Sequence, residues 1–150
     1  MSIELRPITH DNFYSICQLE VSTEQINQVD SNAISLAEAN FMPFAWFRAI
    51  YANNQPVGFI LVDADTATGK FSLWRLMLDQ SQQGKGYGRL AISALTNALQ
   101  GEFGISELFT SVVTGENSPI AFYQSCGFEL TGALVAGREI ELCLAVEFVK

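Results

Sequence analysis

The stretch Leu76-Met77-Leu78-Asp79-Gln80-Ser81-Gln82-Gln83-Gly84-Lys85-Gly86-Tyr87-Gly88-Arg89 runs from an apolar, strand-like segment through a polar, glycine-rich loop into the start of a helix. Glycine at alternate positions leaves backbone N–H groups unobstructed and lets the chain curl until several donors converge. A helix N-terminus adds a partial positive charge. The segment therefore reads as a nest for a pyrophosphate, with Gln83, Gly84, Lys85, Gly86, Tyr87, Gly88 and Arg89 as the candidate binding residues. Its glycine spacing is neither that of the dinucleotide fingerprint nor that of a Walker loop, which needs a Lys-Ser/Thr pair. The plainer alternative is an ordinary glycine turn.

Working outward, residues 44–51 and 57–63 are aromatic and β-branched runs joined by Ala-Asn-Asn-Gln-Pro, which predicts a β-hairpin. Residues 71–79 read as a third antiparallel strand, and a strand at 2–7 ends at Pro7. Two short helices are predicted between them. Phe13, Ile16, Cys17 and Glu20 share a face after the caps Thr9 and Asp11. Ser31 or Asn32 caps a second helix, with Ala33, Leu36 and Ala37 on one face and Pro43 as its stop.

After the glycine loop, a helix to about residue 100 carries Leu90, Leu95 and Leu99 as apolar positions and closes at Gly101 and Gly104. A strand at 107–113, a short helix at 118–125 with Pro119 in its first turn, and strands at 127–131 and 138–148 complete the chain. A meander followed by alternating helices and strands predicts a mixed α/β (α+β) sheet, mostly antiparallel, flanked by helices.

With 150 residues, 49% of them hydrophobic, the chain suits one domain spanning 1–150. Its net charge of −8 argues against a grip on nucleic acid. The single histidine, His10, excludes metal sites built from several imidazoles and reads as a helix-start residue; no metal is expected. Cys17, Cys126 and Cys143 form no Cys-x-x-Cys pair. The start lacks signal-peptide regions, and no run approaches a bilayer span, which predicts a cytoplasmic protein away from membranes. Exposed strand edges suit a homodimer.

Gln83, Gly86 and Gly88 spell Gln-x-x-Gly-x-Gly, and roughly thirty residues on stands Asn117-Ser-Pro-Ile-Ala121-Phe122-Tyr123-Gln-Ser-Cys-Gly127-Phe128. Together, in order and spacing, these segments resemble the acyl-CoA loop and the Asn-x-x-Ala-x-x-Phe/Leu-Tyr-x-x-x-Gly-Phe segment of the GNAT N-acetyltransferases. The resemblance covers nearly the whole chain. It implies acetyl-CoA as cosubstrate, Asn117 holding the CoA arm, and Tyr123 protonating the departing thiolate. It also implies a strand at 76–78 that bulges and splays from the strand at 107–113, freeing backbone groups of Leu76, Met77 and Leu78 for the pantetheine arm. Read without it, residues 118–128 are a helix ended by Gly127, with Phe122, Tyr123 and Phe128 as core.

Charge is unevenly distributed: residues 1–40 and 101–150 each net −5, 41–70 balance, and 71–100, which hold the glycine loop, net +2. A polyanionic cofactor at one end and a cationic acceptor at the other fit this separation, as do acids scattered for solubility. Finer resemblance, through Val29–Ala39, Trp74–Asp79 and Gln83–Gly88, is to bacterial spermine, spermidine and diamine acetyltransferases. Ala133, where similar sequences often place an acid, and Arg138 depart from that pattern.

An acceptor amine must lose a proton before attack. Glu38, then Glu24 and Asp30, are the candidate acids for positioning it, and Trp46 and Trp74 the candidate walls for a methylene chain or cation; each also reads as a plain surface acid or a core aromatic. Cys126 as an acetylated nucleophile is a minor alternative to direct transfer. The acceptor alternatives are a protein N-terminus or lysine, or another small amine, and a non-catalytic acetyl-CoA-binding module is the rival class.

Overall fold

A computed structural model describes residues 2–21 and 31–146. Its strands are β1 (Ile3–Arg6), β2 (Ala45–Ala52), β3 (Gln55–Ala64), β4 (Phe71–Leu78), β5 (Glu107–Val112), β6 (Glu129–Val135) and β7 (Glu139–Ala145). The helices are α1 (Phe13–Cys17), α2 (Asn32–Ala39), α3 (Tyr87–Phe103) and α4 (Ile120–Ser125), with a 3-10 turn over Gln80–Gln82. The strands form one sheet in the order β1-β2-β3-β4-β5-β7-β6. Neighbours are antiparallel except β4 and β5, which run parallel because α3 carries the chain between them.

The β2–β3 hairpin is tighter than its sequence suggests. Asn53 and Asn54 both take positive φ, 51° and 65°, so the strands run up to a two-residue turn whose twist matches their own.

Side chains alternate across the sheet and build two cores. On one face Tyr87, Ala91, Ile92, Leu95 and Leu99 of α3 pack over Ile50, Ile60, Val62, Leu73 and Leu108. On the other, Ile16 and Ala39 pack over Ala49, Phe59, Leu61 and Met77. Three expectations change. Leu90 stays outside the core, and Gly101 lies within α3, which Gly104 alone closes at φ 68°. In α2 the buried face is Asn32, Ser35 and Ala39, with Leu36 half-buried, while Ala33 and Ala37 are exposed. Ser31 caps that helix by accepting from the Ile34 N–H, and buried Asn32 donates to the Ile16 carbonyl and lies 3.4 Å from the Met77 sulfur. A polar residue thus pins α1, α2 and β4 together.

Among the described residues, no helix is long and apolar enough to cross a membrane. The three cysteines are free thiols.

Candidate active site

The glycine loop is built from its first residue. Asp79 accepts from the Ser81 N–H and hydroxyl and from the Glu20 N–H at 2.9 Å, while the Gln80 N–H donates to the Glu20 carbonyl at 2.7 Å. Burial alone raises the Asp79 carboxyl, but these hydrogen bonds outweigh it and hold it below its ordinary value. Gly84 and Gly86 both sit at φ 80°, a conformation that penalises any side chain. Gly86 is the N-cap of α3, with no side-chain cap and no acid in the first turn, the kind of helix start whose leading N–H groups suit an anion. Gly88 serves differently: a Cβ there would lie 2.9 Å from the Phe122 ring, so it lets α3 approach α4.

Beside this loop the sheet parts. β4 and β5 pair only at Ser72–Phe109 and Leu73–Thr110. The register with β3 slips between Leu61, opposite Arg75, and Val62, opposite Leu73, so Trp74 is bulged out and β4 bends away from β5. The Asp79 N–H bonds the Val57 carbonyl, and antiparallel alternation then turns Met77 toward Phe59 and the backbone groups of Leu76 and Leu78 toward the gap. Gln83 donates to that outward Leu78 carbonyl at 3.1 Å. The expected splay is present. Its open edge is formed by Leu76 and Leu78, whereas Met77 faces β3 and sends its side chain into the opposite core.

Across the gap stands α4. Its Tyr123 is buried, with ring centroids 5.2 Å from both Phe122 and Phe128, and hydrogen-bonds the Thr110 side chain. Burial pushes the phenol up to about 12, against a smaller downward pull from Thr110 and an upward one from Cys126. It is neutral throughout the physiological range. Asn117, at φ 63°, and Ser118, whose hydroxyl donates to the Val113 carbonyl, carry the chain into α4 beside the gap.

These parts line one cleft of about 620 Å³. It contains Leu76, Met77, Leu78, Gln83, Gly84, Gly86, Tyr87, Gly88, Arg89, Asn117, Tyr123 and Trp74 from the sequence candidates. Several play narrower parts than expected. The Tyr87 ring is buried in the core beneath α3, so its side chain is not offered to the cleft. The Arg89 guanidinium is taken by the Ser125 carbonyl, 2.6 Å, and hydroxyl, 3.0 Å, at the end of α4. Lys85 donates to Gln82 at 3.1 Å and is absent from the cleft wall.

Glu38 is likewise outside the cleft wall, 3.8 Å from the Arg75 guanidinium that lines it. Trp46 is not a cleft residue: it opposes Val62 in the sheet, lies buried beneath α3 and donates to Glu102 at 2.9 Å. Glu24 and Asp30 lie outside the described residues. Cys126 lines a separate hollow of about 260 Å³ with Ser93 and Thr96. Among the described residues no cluster of three or more His, Cys, Asp or Glu is arranged to hold a metal ion.

Two cleft residues carry no local signal in the sequence. Thr110 is one threonine in an alternating strand, made important by the parting at Leu73. Glu139 is one acid among many, brought to the cleft by the β6–β7 turn. Only tertiary placement identifies either.

Residues 4–128 match the acetyltransferase (GNAT) family, and the chain belongs to it: it is an N-acetyltransferase. Over 140 residues, 89% of this chain and 92% of the relative, it is 29% identical to the spermine/spermidine N(1)-acetyltransferase of Bacillus subtilis strain 168. The fold is shared with the aminoglycoside acetyltransferase AAC(6')-Ib solved with coenzyme A, at TM-score 0.78 and 16% identity over 96% of this chain and 95% of that one. It is also shared with a spermidine N-acetyltransferase SpeG chimera from Vibrio cholerae and hSSAT, at TM-score 0.73 and 17% identity over 97% and 96%.

Proposed function

We propose that this enzyme transfers the acetyl group of acetyl-CoA directly to a primary amine, with a diamine or polyamine as acceptor. The observation that carries this reading is the parting of β4 from β5 directly between the uncapped start of α3 and the buried Tyr123.

Each part suits one portion of acetyl-CoA. The positive-φ Gly84 and Gly86 and the first N–H groups of α3 bind the pyrophosphate. Leu76 and Leu78 offer backbone partners to the amide-bearing arm as a missing strand would, and an N–H there polarises the thioester carbonyl. Asn117 contacts the arm at the far wall.

Tyr123 supplies the proton for the departing thiolate. A phenol at about 12 is a weak acid toward a thiol near ~8.5 in water, but burial that raises the phenol also destabilises a thiolate beside it. The proton therefore moves as the C–S bond breaks; the attacking nitrogen gives one of its own protons to water, water returns one to the Tyr123 phenolate, and the net products are the amide and the free CoA thiol. Because Cys126 opens onto another hollow, the geometry favours direct attack over an acetyl-cysteine.

The polyamine preference is supported by the named activity of the Bacillus relative and by the acidic segments flanking the basic loop region. The free thiols suit a reducing, cytoplasmic compartment. A panel of spermidine, spermine, 1,4-diaminobutane, aminoglycosides and peptides, read by release of the CoA thiol, tests the reading. Turnover highest with the linear polyamines is expected. Turnover confined to peptides contradicts the acceptor class, and acetyl-CoA binding without thiol release contradicts catalysis.

A further inference from the structure

The cleft passes through the sheet, and its two mouths differ in chemistry. On β5, Leu108 and Val112 face the α3 core together with Thr110, so Ser111 and Val113 face the other way. On β7, Ile140 and Leu142 face α3, and Glu139 and Glu141 share the opposite face. Tyr123 and the glycine loop thus belong to one mouth, Trp74 and Glu139 to the other. Among the described residues, α1 and α2 make their main sheet contacts with β2 and β3.

Two other described carboxylates on this side are already engaged. Glu38 pairs with Arg75, and Glu141 accepts from Lys70 at 2.8 Å and bonds Thr131 at 2.9 Å. Glu139 lines the cleft, and although its backbone is paired with Val135 of β6, its carboxylate makes no hydrogen bond or ion pair with a described residue. The bulged Trp74, 43% exposed, lines the same cleft. The set is one carboxylate uncommitted among the described residues and one aromatic wall, in a cleft whose two cations are engaged, Arg75 with Glu38 and Arg89 with Ser125.

Distance completes the picture. Thr110, which meets the Tyr123 hydroxyl, is three residues from Val113, the position flanking Glu139 beyond the Val112–Ile140 pair. At about 3.3 Å per residue this spans on the order of 10 Å. That is the reach of a short alkyl diamine plus one ammonium–carboxylate contact.

We propose that Glu139 selects the acceptor by binding the second, non-reacting ammonium of a diamine, while Trp74 packs along its methylenes. The assignment rests on the amine-transfer reading above. It makes Glu139 a specificity-determining residue, in contact with substrate but away from the reacting atoms.

The test compares 1,4-diaminobutane with butylamine, which lacks the second charge, in wild type, Glu139→Gln and Glu139→Asp. In Glu139→Gln the diamine-to-monoamine ratio of kcat/KM falls at least fivefold, chiefly through KM, and Glu139→Asp restores part of it. A smaller fall overturns the proposal, as does an equal loss for both amines. Calorimetric titration of 1,4-diaminobutane into CoA-saturated protein reads the same contact without turnover. A Kd raised at least fivefold in Glu139→Gln is expected, and a smaller change overturns the assignment. If that Kd responds to Glu139 while wild type releases no thiol, acetyl transfer fails and the binding assignment stands.

Discussion

The Thr110 hydroxyl donates to the Leu73 carbonyl at 3.0 Å, across the last pair of residues that β4 and β5 share before they part. The same side chain bonds Tyr123. One buried threonine therefore ties the vertex of the split sheet to the proposed acid. The isosteric Thr110→Val leaves the packing but removes both bonds. A stability loss of about 1–3 kcal/mol is expected, with turnover about tenfold lower and acetyl-CoA affinity little changed. Denaturant midpoints and steady-state kinetics check this; unchanged turnover would show that Thr110 only braces the strands.

Glycines that look alike in the sequence should respond differently. Gly86→Ala places a Cβ on a backbone at φ 80° and costs roughly 1–2 kcal/mol, with weakened acetyl-CoA binding, because the start of α3 shifts. Gly88→Ala meets the Phe122 ring at 2.9 Å and costs about 1–3 kcal/mol by overpacking. Gly101→Ala lies inside α3 with nothing within 4 Å and gains roughly 0.5–1 kcal/mol. Thermal melts of the three variants give this order directly.

Tyr123 makes stability depend on alkaline pH. Its phenol ordinarily titrates at 10.0 and is held at about 12 in the fold, so the native state keeps a proton that the unfolded chain has lost. The contribution is fully present below the unfolded pKa and is lost as pH rises from about 10 to about 12, amounting to about 2–3 kcal/mol. The urea midpoint of wild type should therefore fall relative to that of Tyr123→Phe as pH climbs through that window. A gap independent of pH contradicts the burial assigned to the phenol.

What was legible in the sequence follows the range of the interactions involved. The loop at Gly84–Gly88, the Ser31 cap and the Asn117–Phe128 segment depend on neighbours a few residues away, and each formed locally as a glycine loop, a capped helix start and a short helix, the last beginning at Ile120 with Pro119 as its N-cap instead of in its first turn. Faces set by tertiary contact did not. Asn32 took the inside of α2, where its amide donates to the Ile16 carbonyl and lies against the Met77 sulfur, and Ser35, three residues on, shares that face, which hydropathy assigns to Ala33 and Ala37. Trp46 and Trp74 are both strand tryptophans; the bulge at Leu61/Val62 put one in the cleft, and register put the other beneath α3. Glu139 became distinct from Glu141 only when Lys70 and Thr131 engaged the latter.

The central claim is that Tyr123 completes acetyl transfer in the cleft between β4 and β5. Thiol release from acetyl-CoA with 1,4-diaminobutane, measured for wild type and Tyr123→Phe beside the acetyl-CoA Kd of each, tests it most directly. Rapid release by wild type, a loss of about 10²-fold in Tyr123→Phe and Kd values within about twofold are predicted. Equal release by the two proteins would contradict it.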